Sequence, residues 1–366
     1  MVSVARRNLF HERARLTLSV LGVGFSILLI AVLSATYAGF ERTAGIYIDH
    51  LGGDVVIMQE GAQELFHSFS VLPANVSAQV QQVNGVASAD GVLTRRVEVH
   101  GGDGDFVIAV VGFESAGGPW RVAQGTARPG ASGIVLDRVA AAREGLGVGD
   151  DLHLLGRTFR VVGLSEETNV FTLQYAFVDR AEAEGLLLPP DTVSFVLARV
   201  AAGEDPAAVR DRINAEVAGV TAMTLAEFRE NSTRVILDAF DPILAVLYAT
   251  GFLVGIMVVG QILYAATLEK MREYAILRAL GASGRRVAGI VVQQALLASV
   301  LGFAVGVGLS AALGAVVYEF VPAMPLSFQP VSFLWLLLAA VGMSLIASLA
   351  PLRRVLRVDP ATVFRR

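Results

Sequence analysis

LEKMREYAILRALGASGRRV, residues 268–287, is a charged stretch set between two of the longest apolar runs of the chain. Its first half consists of strong helix formers, and Glu269 precedes Arg272 by three residues. That spacing predicts a same-face ion pair contributing about 0.2–0.5 kcal/mol. Gly281 follows the last periodic residue and reads as a left-handed helix stop, and Ser283 reads as the N-cap of the helix after it. The stretch therefore predicts helix, tight turn, helix, a cytoplasmic elbow between two membrane helices. Ile276, Leu277 and Leu280 share one face at spacings of three and four, beyond the point where the charges end the bilayer. Such a stripe needs cover, either from a second protein or from this chain's own helix ends. Arg285 and Arg286 fall in the first turn of the next helix, where the helix dipole disfavours cations by about 0.3–1 kcal/mol each, so an acidic or polar surface is expected to face them.

Outward from the elbow, four uncharged runs of 25, 27, 32 and 22 residues occupy 16–40, 242–268, 287–318 and 331–352. About 20 residues suffice to cross a bilayer, so four spans are expected. As helices the first three would be about 37, 40 and 48 Å long, which predicts stalks continuing beyond a ~30 Å hydrocarbon core. The predicted organisation is an interfacial helix at 1–15, spans at 16–40, 239–268, 287–318 and 331–352, a large domain at 41–238, the elbow at 269–286, an outer loop at 319–330 and a tail at 353–366.

Charge orients these parts. Segments 1–15, 269–286 and 353–366 carry 14 Lys and Arg against 4 acids, whereas 41–241 carries 15 Arg against 28 acids. Positive segments stay inside, so both termini are expected in the cytoplasm of a bacterial cell (inner) membrane and the large domain outside it. The first run exceeds a signal-peptide core and exits through Ala38-Gly39-Phe40-Glu41, a poor cleavage site, so it reads as an uncleaved anchor. The chain has no cysteine, which excludes disulfides, thiolate metal sites and Cys nucleophiles.

The large domain reads as α+β. Strands are expected at 54–58, 92–100, 106–113, 152–155, 157–164 and 193–200, with hairpins at 101–105 and at Gly156. Helices are expected at 73–83 opened by Pro73, at 137–146 and 179–187 opened by Asp137 and Asp179, and at 205–217 with Asp205 as cap and Pro206 in first position. Thr224 and Glu227 form a capping box leading straight into the second span. The two ends of the domain build one lobe, and 90–190 is a β-rich insertion with its own core.

Several chemistries are missing. The single lysine, Lys270, follows no glycine-rich loop, so this chain carries no Walker A motif and is expected to be non-catalytic. His11, His50, His67, His100 and His153 are scattered without ligand spacing, which speaks against a metal site; His50 or His67 as ligand to a substrate such as haem is a weaker option than a plain loop residue. Gly130-Ala-Ser-Gly133 and Gly281-Ala-Ser-Gly284 fall short of a nucleophile elbow and read as turns. The spans hold no Asp, Glu, Lys or Arg, which disfavours ion-coupled transport, proton relays and voltage sensing. They hold small residues instead: Gly251 with Gly255 and Gly302 with Gly306 are close-packing pairs, serving a dimer seam, a sliding contact or packing within the four helices.

Arg272-Glu273-Tyr274-Ala275-Ile276-Leu277-Arg278-Ala279-Leu280-Gly281-Ala282 resembles the coupling segment of MacB/FtsX-type ABC transporter permeases, Arg-Glu-Ile-Gly-Ile-Leu-Arg-Ala-Leu-Gly-Ala. It departs at Tyr274 and Ala275, changes that alter how the elbow packs. Asn8-Leu9 through Leu18, Gly145-Leu146-Gly147-Val148-Gly149-Asp150 with Val161-Val162-Gly163, and Pro351-Leu352-Arg353-Arg354 with Asp359-Pro360 extend the likeness over essentially the whole chain. Asp54 to Ile57, Gln59-Glu60-Gly61 and Gly117 to Trp120 resemble the branch containing haem and glycolipid exporters.

The resemblance implies a four-helix integral membrane protein with an extracytoplasmic domain between helices 1 and 2, paired as a homodimer on two cytoplasmic ABC ATPase subunits. ATP and Mg would be bound by that partner, and no cofactor by this chain. The coupling residues would be Arg272, Glu273, Ile276, Leu277, Arg278, Leu280, Gly281, Arg285 and Arg286. Mechanotransmission would export a lipophilic or amphipathic cargo such as a lipoprotein, macrolide, peptide, glycolipid or haem, with a membrane-fusion or accessory protein as a further partner. An FtsX-like scaffold that switches an extracytoplasmic enzyme without moving cargo is the alternative. No nucleic-acid partner is expected.

Overall fold

A computed structural model describes residues 13–65, 68–101, 104–170, 173–320 and 326–357. The expected interfacial helix at 1–15 lies largely outside them. The chain forms two compact units, Phe40–Ala239 and the remainder. Helix α1 (Arg13–Asp49) contributes to both, so it continues nine residues beyond the predicted exit at position 40.

Within Phe40–Ala239, the elements in order are β1 (Val55–Gln59), β2 (Leu72–Pro73), α2 (Asn75–Gln81), β3 (Val86–Gly101), β4 (Gly104–Phe113), β5 (Val122–Gly125), β6 (Gly133–Asp137) and α3 (Arg138–Glu144). There follow β7 (Asp151–Leu154), β8 (Arg157–Ser165), β9 (Asn169–Val170), β10 (Leu173–Asp179), α4 (Arg180–Ala183), β11 (Thr192–Val193), β12 (Phe195–Val200), α5 (Pro206–Glu216) and β13 (Val220–Thr224).

The sheet runs β13-β1-β12-β3-β4-β10-β6-β8-β5, antiparallel except for the β4/β10 and β6/β8 pairs. The sixteen-residue β3 joins its halves. Its first part, through Val92, pairs with β12, and from Leu93 onward it pairs with β4. The end-built lobe uses both faces of β1: Val55 and Ile57 pack with Val76, Val80, Val209 and Ile213 of α2 and α5, while Val56 and Met58 pack toward Tyr47, Ile48 and Phe228. A continuous apolar run is what a strand covered on both faces requires. The insertion has a separate core around Ile108, Ile134, Phe159 and Val178.

The caps follow the residue chemistry. Asp137, Asp179 and Asp205 each accept a backbone N–H two residues on, satisfying a helix donor that would otherwise be orphaned. Thr224 and Glu227 make the reciprocal capping box, with Glu227 N–H donating to Thr224 Oγ1 and Thr224 N–H to Glu227 Oε2. It opens α6 (Leu225–Glu269), which runs unbroken through Pro242.

Three readings need correction. Pro73 belongs to the short strand β2 paired with β11 rather than to α2, because the edge of a two-stranded sheet tolerates a residue without an N–H. The strand expected at 193–200 breaks at Ser194, whose hydroxyl accepts from Thr94 N–H and donates to Thr94 O. The helix expected at 179–187 stops after Ala183, where Glu184 turns to an extended ψ of 130°. Strands β5, β6, β9, β10 and β13 lie outside the expected strands.

The helical unit holds α1 through Gly39, α6 from Phe240, α7 (Met271–Ala279), α8 (Gly284–Phe320) and α9 (Pro330–Leu356). Four of these helices are long and apolar enough to span a membrane. Val23, Ile27, Val259, Ala295 and Met343 form their common core.

Candidate coupling surface

The elbow helix α7 is set off from α6 by Lys270, at φ −89° and ψ 5°. Glu269 ends α6 and Arg272 is the second residue of α7. Gly281 sits at φ +91°, as the left-handed stop requires. Its N–H donates to Arg278 O at 3.0 Å and Ala282 N–H donates to Leu277 O at 3.0 Å, the paired bonds of a Schellman ending. Ser283 holds the entry to α8, its carbonyl accepting from Arg286 and Val287 N–H.

Two faces of α7 have different fates. Tyr274 and Ala275 are each 2 % exposed, and Tyr274 packs with Val287 and Val291 of α8 and Val355 of α9. Arg278 reinforces this side, its Nη1 donating to Leu356 O at 3.3 Å. The stripe of Ile276, Leu277 and Leu280 is not what these helix ends cover: the three are 41, 37 and 80 % exposed. Arg272, Glu273, Arg285 and Arg286 are exposed as well. An apolar ridge thus stands among three cations and one anion. Such a ridge has the composition of a helix-in-groove anchor with a charged surround.

The sequence pattern marks Tyr274 and Ala275 only as changes that alter how the elbow packs, naming nothing they pack on, and does not mark the end of α9. Met271, Tyr274, Ala275 and Arg278 occur at i, i+3, i+4 and i+7, the pattern of a second packed face. It was obscured because Arg278 counts as polar although its side chain lies along that face.

The small-residue pairs approach helices of the same chain. A Cβ on Gly302 would lie 2.4 Å from Val23 Cβ, and one on Gly306 would lie 2.7 Å from Gly24 O. On Gly251 it would meet Leu29 Cδ2 at 3.2 Å, and on Gly255 Met343 Sδ at 2.6 Å. All four therefore serve contacts of α6 and α8 with α1 and α9.

Comparison with known proteins bears on the whole chain. Residues 16–216 match the MacB-like periplasmic core domain, and residues 245–360 match the FtsX-like permease C-terminal region. An uncharacterized ABC transporter permease of Mycobacterium tuberculosis is 26 % identical over 367 residues, covering 100 % of this chain and 99 % of its own. A probable export ATP-binding/permease protein of Pseudomonas fluorescens is 23 % identical over 393 residues, covering 98 % of this chain and 59 % of its own. Among solved structures, the periplasmic region of MacB from Actinobacillus actinomycetemcomitans aligns with a TM-score of 0.37 at 12 % identity, over 50 % of this chain and 92 % of that one. With four membrane helices, the domain inserted after the first and family matches across both parts, the chain belongs to the MacB/FtsX-type ABC transporter permeases.

Proposed function

We propose that this chain is the transmembrane subunit of an exporter in which a separate ATPase, holding ATP and Mg, drives movement of the inserted domain and displaces a lipophilic or amphipathic substrate. The observation that carries the reading is the divided elbow: Tyr274 and Arg278 fix α7 to α8 and α9, while Ile276, Leu277 and Leu280 are left open. Helices α1 and α6 each belong to both compact units, and they supply the connection along which a push on the elbow would travel. Two copies of the chain on two ATPase subunits, with termini and elbow in the cytoplasm, follow from this reading and from the basic charge of those segments.

The test is reconstitution with a candidate ABC ATPase subunit. Leu277→Asp and Glu273→Arg are expected to leave the permease inserted and folded but to abolish co-purification of the ATPase or uncouple its hydrolysis. Full complex and full activity in both variants would overturn the assignment. Stimulation of hydrolysis by added amphiphile supports export, whereas hydrolysis indifferent to every cargo but responsive to an extracytoplasmic protein would replace it with signalling.

A further inference from the structure

The inserted domain contains a cavity of about 540 Å³ where β12 leaves β3 at Ser194. This lies within the roughly 300–1,000 Å³ of small-molecule sites. Its floor is apolar and preformed: Met58, Ala109, Tyr175 and Phe195 line it and are 2 to 4 % exposed. Phe69 also lines it, yet is 81 % exposed, the highest value among the large hydrophobic side chains of the described residues. An aromatic ring left in water beside an apolar hollow is a cost that an apolar occupant would remove.

Two hydroxyls that line the cavity, those of Ser70 and Ser194, are already committed. Ser194 Oγ is bonded to the Thr94 backbone, and Ser70 Oγ accepts from Gln59 N–H and donates to Ser194 O. The charge that lines the cavity is cationic. Arg95 and Arg96 both line the cavity and both are exposed. Among the described residues neither is paired with a carboxylate, although the domain carries 28 acids against 15 Arg and nine of its other arginines are in ion pairs. Arg95 makes only a long bond, 3.5 Å, to Leu187 O. Two arginines lining an apolar hollow in an acidic domain, without a carboxylate partner among the described residues, complement a molecule that is apolar at one end and anionic at the other.

We propose that this cavity binds an acidic amphiphile, its apolar part on Met58, Ala109, Tyr175 and Phe195 and its carboxylate or phosphate held by Arg95 and Arg96. The proposal deepens the export reading by naming a substrate class and a place for it.

The test uses the full-length permease in nanodiscs without any ATPase, so that it stands apart from the coupling experiment. A fluorescent long-chain fatty acid is titrated, with its methyl ester, a lysophosphatidic acid and inorganic phosphate as competitors. The fatty acid is expected to bind saturably, and lysophosphatidic acid to displace it. The methyl ester should compete at least about tenfold more weakly, since charge-assisted bonds are worth that much. Inorganic phosphate alone should not compete; if it did so as well as the lipid, an anion site would replace the amphiphile site. Arg95→Ala with Arg96→Ala, and separately Ala109→Trp, which fills the floor, should each weaken binding about tenfold or more. Equal binding of acid and ester, unchanged by either variant, overturns the proposal. Binding that holds while hydrolysis in the full complex ignores the same lipid overturns the export reading and leaves the site standing.

Discussion

Arg229 donates its Nε–H to the Asp49 carboxylate at 2.9 Å, tying the last residue of α1 to the second turn of α6, with the guanidinium lying against Gly45. Both side chains are more than a third exposed, so the pair contributes at most about 1 kcal/mol to stability. Its value is geometric. Arg229→Ala and Asp49→Ala are therefore expected to move the melting temperature little while lowering substrate-stimulated hydrolysis in the reconstituted complex. The exchanged pair, Asp49→Arg with Arg229→Asp, should restore part of it. Unchanged stimulation in both single variants would show that the tie plays no part in coupling.

The two faces of α7 separate by stability. Tyr274 is buried against Val287, Val291 and Val355, and truncation of a large packed aromatic costs about 3–5 kcal/mol. Tyr274→Ala should thus lower the melting temperature of the detergent-solubilised permease alone. Leu280→Ala, at a position 80 % exposed, should leave that temperature unchanged and act only when the ATPase is present. Equal melting effects would mean that the exposed stripe is also packed within this chain.

How much of this was legible in the sequence follows from the range of the interactions. The caps at Asp137, Asp179 and Asp205 and the Thr224–Glu227 box are local, fixed by residues two or three apart, and each was readable. So were the four membrane helices, because twenty uncharged residues have few other destinations. Strands β6 and β10 were not, since Gly133–Asp137 and Leu173–Asp179 are buried on both faces and show no period-two alternation. The break at Ser194 depends on Thr94, one hundred residues away, and no local pattern announces it. The elbow was readable as an elbow, but the division of its faces depends on Val355, which only the folded chain brings near.

A buried carboxylate supplies a pH dependence. Asp137 is 1 % exposed, accepts from Val139 N–H at Oδ1 and from Thr168 Oγ1 at Oδ2, and Thr168 in turn contacts Ser165 Oγ at 2.6 Å. Burial pushes its carboxyl above the ordinary value of 3.8, against the opposite pull of those hydrogen bonds. A raised folded pKa means that the protonated form is favoured, so this contribution is complete below the unfolded value and is lost as pH rises through the folded one. Asp137→Asn keeps the cap acceptor, and the Thr168 and Ser165 hydroxyls can rotate to receive its amide. It should melt at or above the parent temperature at neutral pH and lose advantage in acid. Asp137→Ala should cost about 1–2 kcal/mol by removing the cap. A parent protein whose stability rises monotonically from acid to neutral pH relative to Asp137→Asn would contradict this sign.

Orientation can be read with single cysteines, since the chain has none. Ser132 and Ser283 are both exposed, Ser132 in the inserted domain and Ser283 at the end of the elbow. Ser132→Cys should react with an impermeant maleimide added to intact cells, and Ser283→Cys only after permeabilisation. The reverse pattern would put the elbow on the side without ATP and end the coupling assignment.

Glycine contacts give the last prediction, because neighbouring glycines of α8 meet different surroundings. A Cβ on Gly306 would stand 2.7 Å from Gly24 O, and one on Gly302 would stand 3.1 Å from Val20 O as well as against Val23, so backbone of α1 is in the way. Backbone cannot rotate aside as a side chain can, and the helices must separate, at about 1–3 kcal/mol for such overpacking. Gly308 has nothing within 4 Å of its Cβ position. Gly308→Ala is therefore expected to be neutral or to gain up to about 1 kcal/mol from helix propensity, while Gly302→Ala and Gly306→Ala lower the melting temperature of the permease even as a monomer in detergent. The melting order decides between contacts inside one chain and contacts between two. Should Gly302→Ala and Gly306→Ala melt like the parent yet fail to crosslink as dimers, the close approach seen within the chain would yield to a seam between copies.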